Sequence, residues 1–140
     1  MGIKETLRKA FFEIEWDEGR KIKIRAMKAD VQRVQKDGPA LMAYLQEKAN
    51  AEANGAELDF AEVDKAVRDC LDLMCGEEVG GQLYRDCVEY IGGEGATGED
   101  CALQMVDVVV LVGDAWMEYL ETYNDEKRLR VNKYLQGANA

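Results

Sequence analysis

Two short segments near the start of the chain alternate between apolar and charged residues, and this alternation constrains the fold more than any other feature. The segments span residues 11–16 (FFEIEW) and 20–25 (RKIKIR), with the tripeptide DEG between them. A period of two residues is typical of β-strands, and a three-residue connection with glycine in the left-handed conformation is typical of a hairpin. We therefore predict an antiparallel β-hairpin over residues 10–26.

The length of this loop determines which residues face each other across the hairpin. Apolar side chains then pair on one face and opposite charges pair on the other, so two independent patterns support a single register. Because an isolated hairpin is only marginally stable, the apolar face is expected to dock on helices. The expected pairs are Phe12 with Ile24, Ile14 with Ile22 and Trp16 with Arg20 on the apolar face, and Glu13 with Lys23 and Glu15 with Lys21 on the charged face.

The chain after the hairpin has helical periodicity. Asp30 is placed to cap the first helix, which we expect to end near Asp37 because Gly38 and Pro39 interrupt the pattern. A second helix is then expected to begin at Pro39, where proline is tolerated, and one continuous kinked helix is the alternative. The next turn signal, Asn-Gly at residues 54–55, is predicted to end this region.

Two further helices are predicted on either side of a glycine. Asp59 begins a sequence that resembles a capping box, and Gly76 is a typical C-terminal stop. A helix over residues 77–90 is expected next, although two adjacent glycines within it lower its helix propensity by about 1 kcal/mol each. Residues 92–98 are rich in glycine and are predicted to form a loop.

The last apolar pattern follows this loop and is unusually broad. The β-branched residues within 106–112 also suit a buried strand, but the periodicity continues well beyond the length of a strand. Residues 125–135 are amphipathic and basic, and they form either a final helix or a frayed tail. Helical spacing places on one broad face Val106, Val109, Val110, Gly113, Trp116, Met117, Leu120 and Tyr123.

These patterns together predict a mainly α (α+β) fold, in which the N-terminal antiparallel β-hairpin packs on a bundle of about four to five helices. With 140 residues, of which 47% are hydrophobic, the chain has the size and composition of one globular domain. We expect a single domain over residues 1–140, with the hairpin at 10–26 and the helical body at 30–136.

The chain is acidic, and its charge is unevenly distributed. The net charge is −10, yet residues 1–28 hold eight basic and five acidic side chains, whereas residues 57–107 hold three basic and fourteen acidic ones. Such an acidic region repels phosphate, so no nucleic acid is expected as a partner. A basic protein, or the basic N-terminal end of another copy, is the complementary partner, and a surface that only confers solubility is the alternative.

The sequence contains no apolar run of about 18 residues, so no membrane-spanning helix is expected. A secretory signal is not apparent either, because no apolar segment follows the charged first ten residues. We therefore expect the protein to be cytoplasmic, and its four cysteines to be buried free thiols rather than disulfides.

The residues that usually carry catalysis are scarce in this chain. Histidine and serine are absent, and the cysteines lack the C-x-x-C spacing of a zinc site. Residues 93–98 match the pattern G-x-G-x-x-G, but Glu99 and Asp100 follow where a helix N-terminus would have to hold a phosphate. No enzyme activity, cofactor site or metal site is therefore expected.

Three features occur in an order that resembles a known family. A charged hairpin (FEIEWDEGRKIKIRA) opens the chain, a helix–glycine–helix junction (LDLMCGEEVGGQLY) follows, and an aromatic amphipathic helix (AWMEYLETYNDEKRLRVNKYL) closes it. In this respect the chain is similar to the tail assembly chaperones of long-tailed bacteriophages. The resemblance implies a non-enzymatic protein of the bacterial cytoplasm that coats and solubilises the tape measure protein before the tail tube forms.

Under this hypothesis the chain binds a helical protein and also associates weakly with itself, head to tail. The alternatives are an adaptor or connector subunit retained in a phage particle, and an acidic inhibitor that mimics DNA. Core packing is the alternative for Trp116, and ordinary exposure is the alternative for the tyrosines. The candidate interface residues are Trp16, Lys21, Lys23, Arg25, Tyr44, Trp116, Tyr119 and Tyr123.

Overall fold

The computed structural model describes residues 10–138, and the side chains of residues 10–124. It confirms the predicted fold class, a mainly helical protein with a two-stranded antiparallel hairpin at its N-terminal end. Helix α2 lies at the centre, where it contacts the three other helices and strand β2. The elements are β1 (Phe11–Asp17), β2 (Arg20–Arg25), α1 (Lys28–Ala53), α2 (Phe60–Cys75), α3 (Glu77–Gly92) and α4 (Ala102–Ala138).

The hairpin has the predicted register along most of its length and departs from it at the turn. The four pairs from Phe12 opposite Ile24 to Glu15 opposite Lys21 are confirmed. The prediction that Trp16 faces Arg20 across a three-residue loop is wrong, because a bulge at Trp16 brings Asp17 opposite Arg20 and leaves a two-residue turn.

Local polar contacts around the turn accompany this bulge. The amide of Gly19 donates a hydrogen bond to Glu15 Oε1 at 2.9 Å, and Asp17 lies 3.8 Å from Arg20 as an ion pair. Gly19 adopts the predicted left-handed conformation, with φ of 74°. The bulge turns Trp16 toward α3, where its ring meets Tyr90 edge-on at 5.6 Å. The hairpin tip is thereby attached to the helical body.

Helix α1 runs without interruption through Gly38 and Pro39, so the predicted division into two helices is wrong and the single helix is correct. Proline removes one helical hydrogen bond, which costs up to about 3 kcal/mol in an isolated helix. In this helix, buried residues on both sides of the proline face the rest of the protein, among them Val34 and Leu45. We infer that this packing offsets the lost bond, because most helix stability in proteins comes from tertiary contacts.

Asp30 caps α1 from a different position than predicted. The helix begins at Lys28, and the Asp30 carboxylate reaches back from the third helical position to accept a hydrogen bond from the Met27 amide at 3.0 Å. The carboxylate also binds Arg25 through two hydrogen bonds, at 2.7 and 2.9 Å, and Arg33 through one at 2.9 Å. Asp30 therefore joins the end of the hairpin to the start of α1.

The C-terminal end of α2 receives hydrogen bonds from two other helices. The last carbonyls of a helix have no partner within it. Arg33 of α1 donates its Nε proton to the Leu73 carbonyl at 2.9 Å, and Trp116 of α4 donates its indole proton to the Met74 carbonyl at 2.8 Å. Gly76, with φ of 85°, then ends the helix as predicted. Helices α1 and α4 are thus both positioned on the end of α2.

The last apolar pattern forms helix α4, which decides between the alternatives of helix, strand and frayed tail. Residues 106–112 are helical, not a strand, and the backbone continues as one helix through residues 125–135 to Ala138. Its buried face packs on α2, and Phe12 of the hairpin meets Trp116 edge-on at 5.0 Å. Within residues 10–138, none of the helices combines the length and the apolar character needed to cross a membrane.

All four cysteines are buried and free, which leads to a prediction about their reactivity. Burial raises the pKa of Cys70, Cys75 and Cys87 to about 12 and also raises that of Cys101. Since the thiolate is the reactive form, we expect almost no reaction with Ellman's reagent in the native protein. Four equivalents should react in denaturant. Rapid labelling of the native protein at neutral pH would show that the core opens readily.

Candidate protein-binding surface

The aromatic candidates on α4 are attached to the hairpin. Trp116 has only 1% of its surface exposed, so it belongs to the core in this structure and is not accessible to a partner. Tyr119 is half-buried and stacks on Phe12 at 4.9 Å, and Tyr123 lies one turn further along, 6.3 Å from Tyr119. These three candidates therefore form a continuous row, of which only the tyrosines reach the surface.

The basic candidates on the hairpin each have a partner within the chain. Lys21 lies 3.8 Å from Glu13, and the Lys23 ammonium lies 5.0 Å from the centre of the Phe11 ring. Arg25 is bound to Asp30, and these bonds raise its pKa. The basic charge of the hairpin that was expected to contact another copy is therefore partly matched by acidic residues of the same chain, which weakens the case for head-to-tail association through these residues.

The two remaining candidates lie on different parts of the molecule. Trp16 is half-buried at the hairpin tip, where the Arg20 guanidinium lies 5.4 Å from its ring centre. Tyr44 is exposed on α1, and the Lys48 ammonium lies 5.4 Å from its ring centre. Lys48 also lies 3.8 Å from Glu62 of α2. The eight candidates thus do not form one continuous surface.

An open cleft of about 700 Å³ lies between α2, α3 and the glycine-rich loop. Tyr84 donates a hydrogen bond to Asp64 at 2.5 Å, and Asp64 also pairs with Arg68 at 3.3 Å. Burial, together with this hydrogen bond, raises the pKa of Tyr84. The phenol therefore stays protonated at neutral pH, and Tyr84, Asp64 and Arg68 are matched to each other.

The glycine-rich loop does not have the geometry of a dinucleotide site. Such a site requires a β-strand before the loop and a helix directly after it. Here the loop follows helix α3, and α4 begins only at Ala102. Gly98 packs so closely against the Tyr84 hydroxyl and Asp64 that a Cβ atom would collide with both. The role of Gly98 in this structure is therefore close packing.

A surface on α4 that the sequence did not indicate exposes apolar side chains. Val110 and Met117 belong to the broad apolar face predicted for this helix, and 42% and 66% of their surfaces are exposed. Gly113 lies between them on the same side of the helix, and a Cβ atom added there would lie 2.9 Å from the Met42 methyl group of α1. The Met42 side chain of α1 therefore lies against α4 at Gly113. We call Met42, Val110, Gly113 and Met117 the α4 seam.

Acidic residues border the α4 seam along its whole length. Asp107 lies three residues before Val110, Asp114 lies between Val110 and Met117, and Glu121 lies four residues after Met117. Residues at these spacings are neighbours on a helix surface. The four exposed residues Asp107, Asp114, Glu118 and Glu121 form what we call the acidic ridge.

The breadth of this face is the feature of the sequence from which the α4 seam could have been predicted, although we did not predict it. Eight residues spanning Val106 to Tyr123 cover a wider arc than one packing neighbour can hide. The structure buries the middle of this arc against α2 and leaves its edge beside α1 accessible. Exposed methionine is well suited to binding, because its flexible side chain adapts to different apolar partners.

Comparisons with models of protein families, with curated proteins and with solved structures find no match to this chain. Among the residues whose side chains the structure describes, no group of three or more histidine, cysteine, aspartate or glutamate residues is placed to hold a metal ion.

Proposed function

We propose that this protein is a non-enzymatic binding protein that holds an apolar helical segment of another protein in the α4 seam. The observation that carries the proposal is the exposure of Val110 and Met117 on either side of Gly113, where the Met42 side chain of α1 lies against α4. Amphipathic helices commonly bind in apolar grooves of this kind, with anchors at helical spacing. An acidic surface keeps such a complex in solution.

The resemblance to tail assembly chaperones suggests the kind of partner. A tape measure protein is long and helical, and its apolar surface must be covered before the tail tube assembles around it. A small acidic protein with an accessible methionine-containing seam suits that task. We therefore propose a chaperone role in phage tail assembly, in the cytoplasm of the bacterial host.

The neighbouring DNA and the product it encodes test this role. We expect a slippery heptamer near the end of this gene, an overlapping frame, and then a long reading frame with helical periodicity. The product of that frame should be soluble when co-expressed with this protein and should co-purify with it. An unrelated neighbourhood, or retention of this protein in finished particles as a connector would be retained, would contradict the chaperone role.

Substitution of Met117 by aspartate should weaken binding of that product by about tenfold or more, because a central apolar anchor is replaced by a charge. The stability of the protein itself should change little, since Met117 is exposed. Met27 is also exposed, with 53% of its surface accessible, and it lies at the start of α1 about 22 Å along that helix from Met42. Met27→Asp is therefore the matched control. Equal binding by both variants would exclude the α4 seam as the binding surface.

A further inference from the structure

We propose that the segment bound in the α4 seam is an amphipathic helix that carries a row of lysine or arginine side chains beside its apolar face. This inference rests on the proposed function, because it specifies the chemistry of the partner at the same surface. It follows from the position and the charge of the acidic ridge.

The spacing of the acidic ridge matches the repeat of a bound helix. Asp107, Asp114 and Glu121 recur every seven residues, which is two helical turns or about 10 Å along α4. A partner helix that lies along α4 presents its own side chains with nearly the same repeat. Cationic residues placed every seventh position beside its apolar anchors can therefore meet successive acidic residues of the ridge.

Within residues 102–124, the part of α4 whose side chains the structure describes, no basic residue lies beside the acidic ridge. Residues 102–124 contain four acidic side chains and no lysine or arginine. Other acidic residues on the surface do have partners, such as Asp69, which lies 3.9 Å from Lys65, and Glu62, which lies 3.8 Å from Lys48. Among residues 10–124, none of the four carboxylates of the ridge forms an ion pair, so the ridge places negative charge directly beside the apolar anchors.

This charge also selects between possible occupants of the α4 seam. The same seam of a second copy would place one acidic ridge against another, and like charges brought together across an interface cost free energy. An apolar helix with acidic flanks meets the same repulsion. A helix with basic flanks instead combines apolar contact with attraction, which favours its association and determines its orientation.

Two synthetic helical peptides test this inference on the full-length protein. Both carry the same leucines at heptad spacing, and they differ only in the flanking residues, which are lysine in one and glutamate in the other. We expect the lysine peptide to bind at least about tenfold more tightly by fluorescence anisotropy at low salt. The double variant Asp114→Asn/Glu121→Gln should weaken its binding about threefold to tenfold, in line with two partly exposed ion pairs.

A control variant separates the acidic ridge from the overall charge. Asp69→Asn/Glu89→Gln removes the same number of charges from exposed positions on α2 and α3, and it should leave the affinity nearly unchanged. Equal weakening by both double variants, or equal affinity for both peptides, would overturn the inference. If both peptides bound equally and Met117→Asp weakened both, the proposed function would stand without the basic partner. If Met117→Asp affected neither peptide, the α4 seam itself would be excluded.

Discussion

Replacement of Asp30 by asparagine is expected to lower the free energy of unfolding by about 2 kcal/mol at neutral pH. Only 1% of Asp30 is exposed, and its carboxylate accepts hydrogen bonds from two arginines and from the backbone. Hydrogen bonds to a charged group contribute about 1.5 to 3 kcal/mol, and a neutral amide can replace them only in part. Urea denaturation measures the difference directly.

Removal of the Asp30 carboxylate should also affect the contact between α1 and α2. Arg33 binds Asp30 and also donates to the Leu73 carbonyl at the end of α2. Removal of the carboxylate therefore loosens a side chain that joins α1 to α2. Asp37→Asn on the exposed side of α1 is the matched control, and it should change the stability by no more than about 0.5 kcal/mol.

The effect of Asp30 should depend on pH in a defined direction. Its hydrogen bonds with Arg25 are the largest cause of a lowered pKa in the folded protein. A group with a lowered folded pKa stabilises the protein above its unfolded pKa, which is about 3.9 for aspartate, and this stabilisation is lost as the pH falls through the folded value. The difference in the free energy of unfolding between the wild type and Asp30→Asn should therefore become smaller below about pH 4. A difference that does not change between pH 7 and pH 3 would contradict the ionised role of Asp30.

Substitution of two adjacent glycines by alanine should have opposite effects. A Cβ atom at Gly80 would lie 2.6 Å from the Leu71 carbonyl oxygen, and this backbone atom can move only if α2 and α3 separate. We expect Gly80→Ala to cost about 2 to 3 kcal/mol, as overpacked cores do. At Gly81 the nearest atom is the end of the flexible Arg85 side chain, at 3.4 Å. Gly81→Ala should therefore stabilise the helix by about 0.5 to 1 kcal/mol.

Denaturation by urea provides the measurement for this pair of variants as well. The urea concentrations at which the two variants are half unfolded should move in opposite directions. The slope of the free energy of unfolding against urea concentration should stay similar because the fold is retained. If both variants were stabilising, the close approach of α2 and α3 at Gly80 would be wrong. If both were destabilising by the same amount, the structure would be wrong in giving an added methyl group more room at Gly81 than at Gly80.

Much of the fold could be predicted because local patterns and tertiary packing agree. In the hairpin, the alternation that places Ile14 opposite Ile22 also places Glu15 opposite Lys21, so one register satisfies both faces. Helix α2 begins at the predicted cap, Asp59, and ends at the predicted stop, Gly76, because both residues act through their own backbone neighbours.

The wrong predictions concern positions where distant contacts prevail over local preference. Pro39 usually begins a helix or breaks one, yet α1 continues through it because both of its halves are packed. The bulge at Trp16 brings its ring into contact with Tyr90, which is remote in the sequence. A local pattern contains no information about either contact.

The candidate surface was the least predictable part of the protein. Periodicity places Val110 and Met117 on the same broad face as Val109 and Trp116, which are buried, because spacing alone does not reveal how wide an arc the neighbouring helices cover. Trp116 shares the same pattern but lies in the core, where its indole proton binds the Met74 carbonyl. Only the arrangement of α1 beside α4 separates the buried part of this face from its accessible edge.

A fluorescent label at Met117 tests the central claim most directly. The four native cysteines are buried, so Met117→Cys can be labelled selectively with bimane, and Met27→Cys provides a matched exposed control. When the product of the downstream helical reading frame is added, we predict that the emission at position 117 shifts to the blue and becomes protected from a soluble quencher. The emission at position 27 should remain unchanged. If a complex forms while the label at 117 keeps its spectrum and its access to quencher, the partner does not bind in the α4 seam and the account is contradicted.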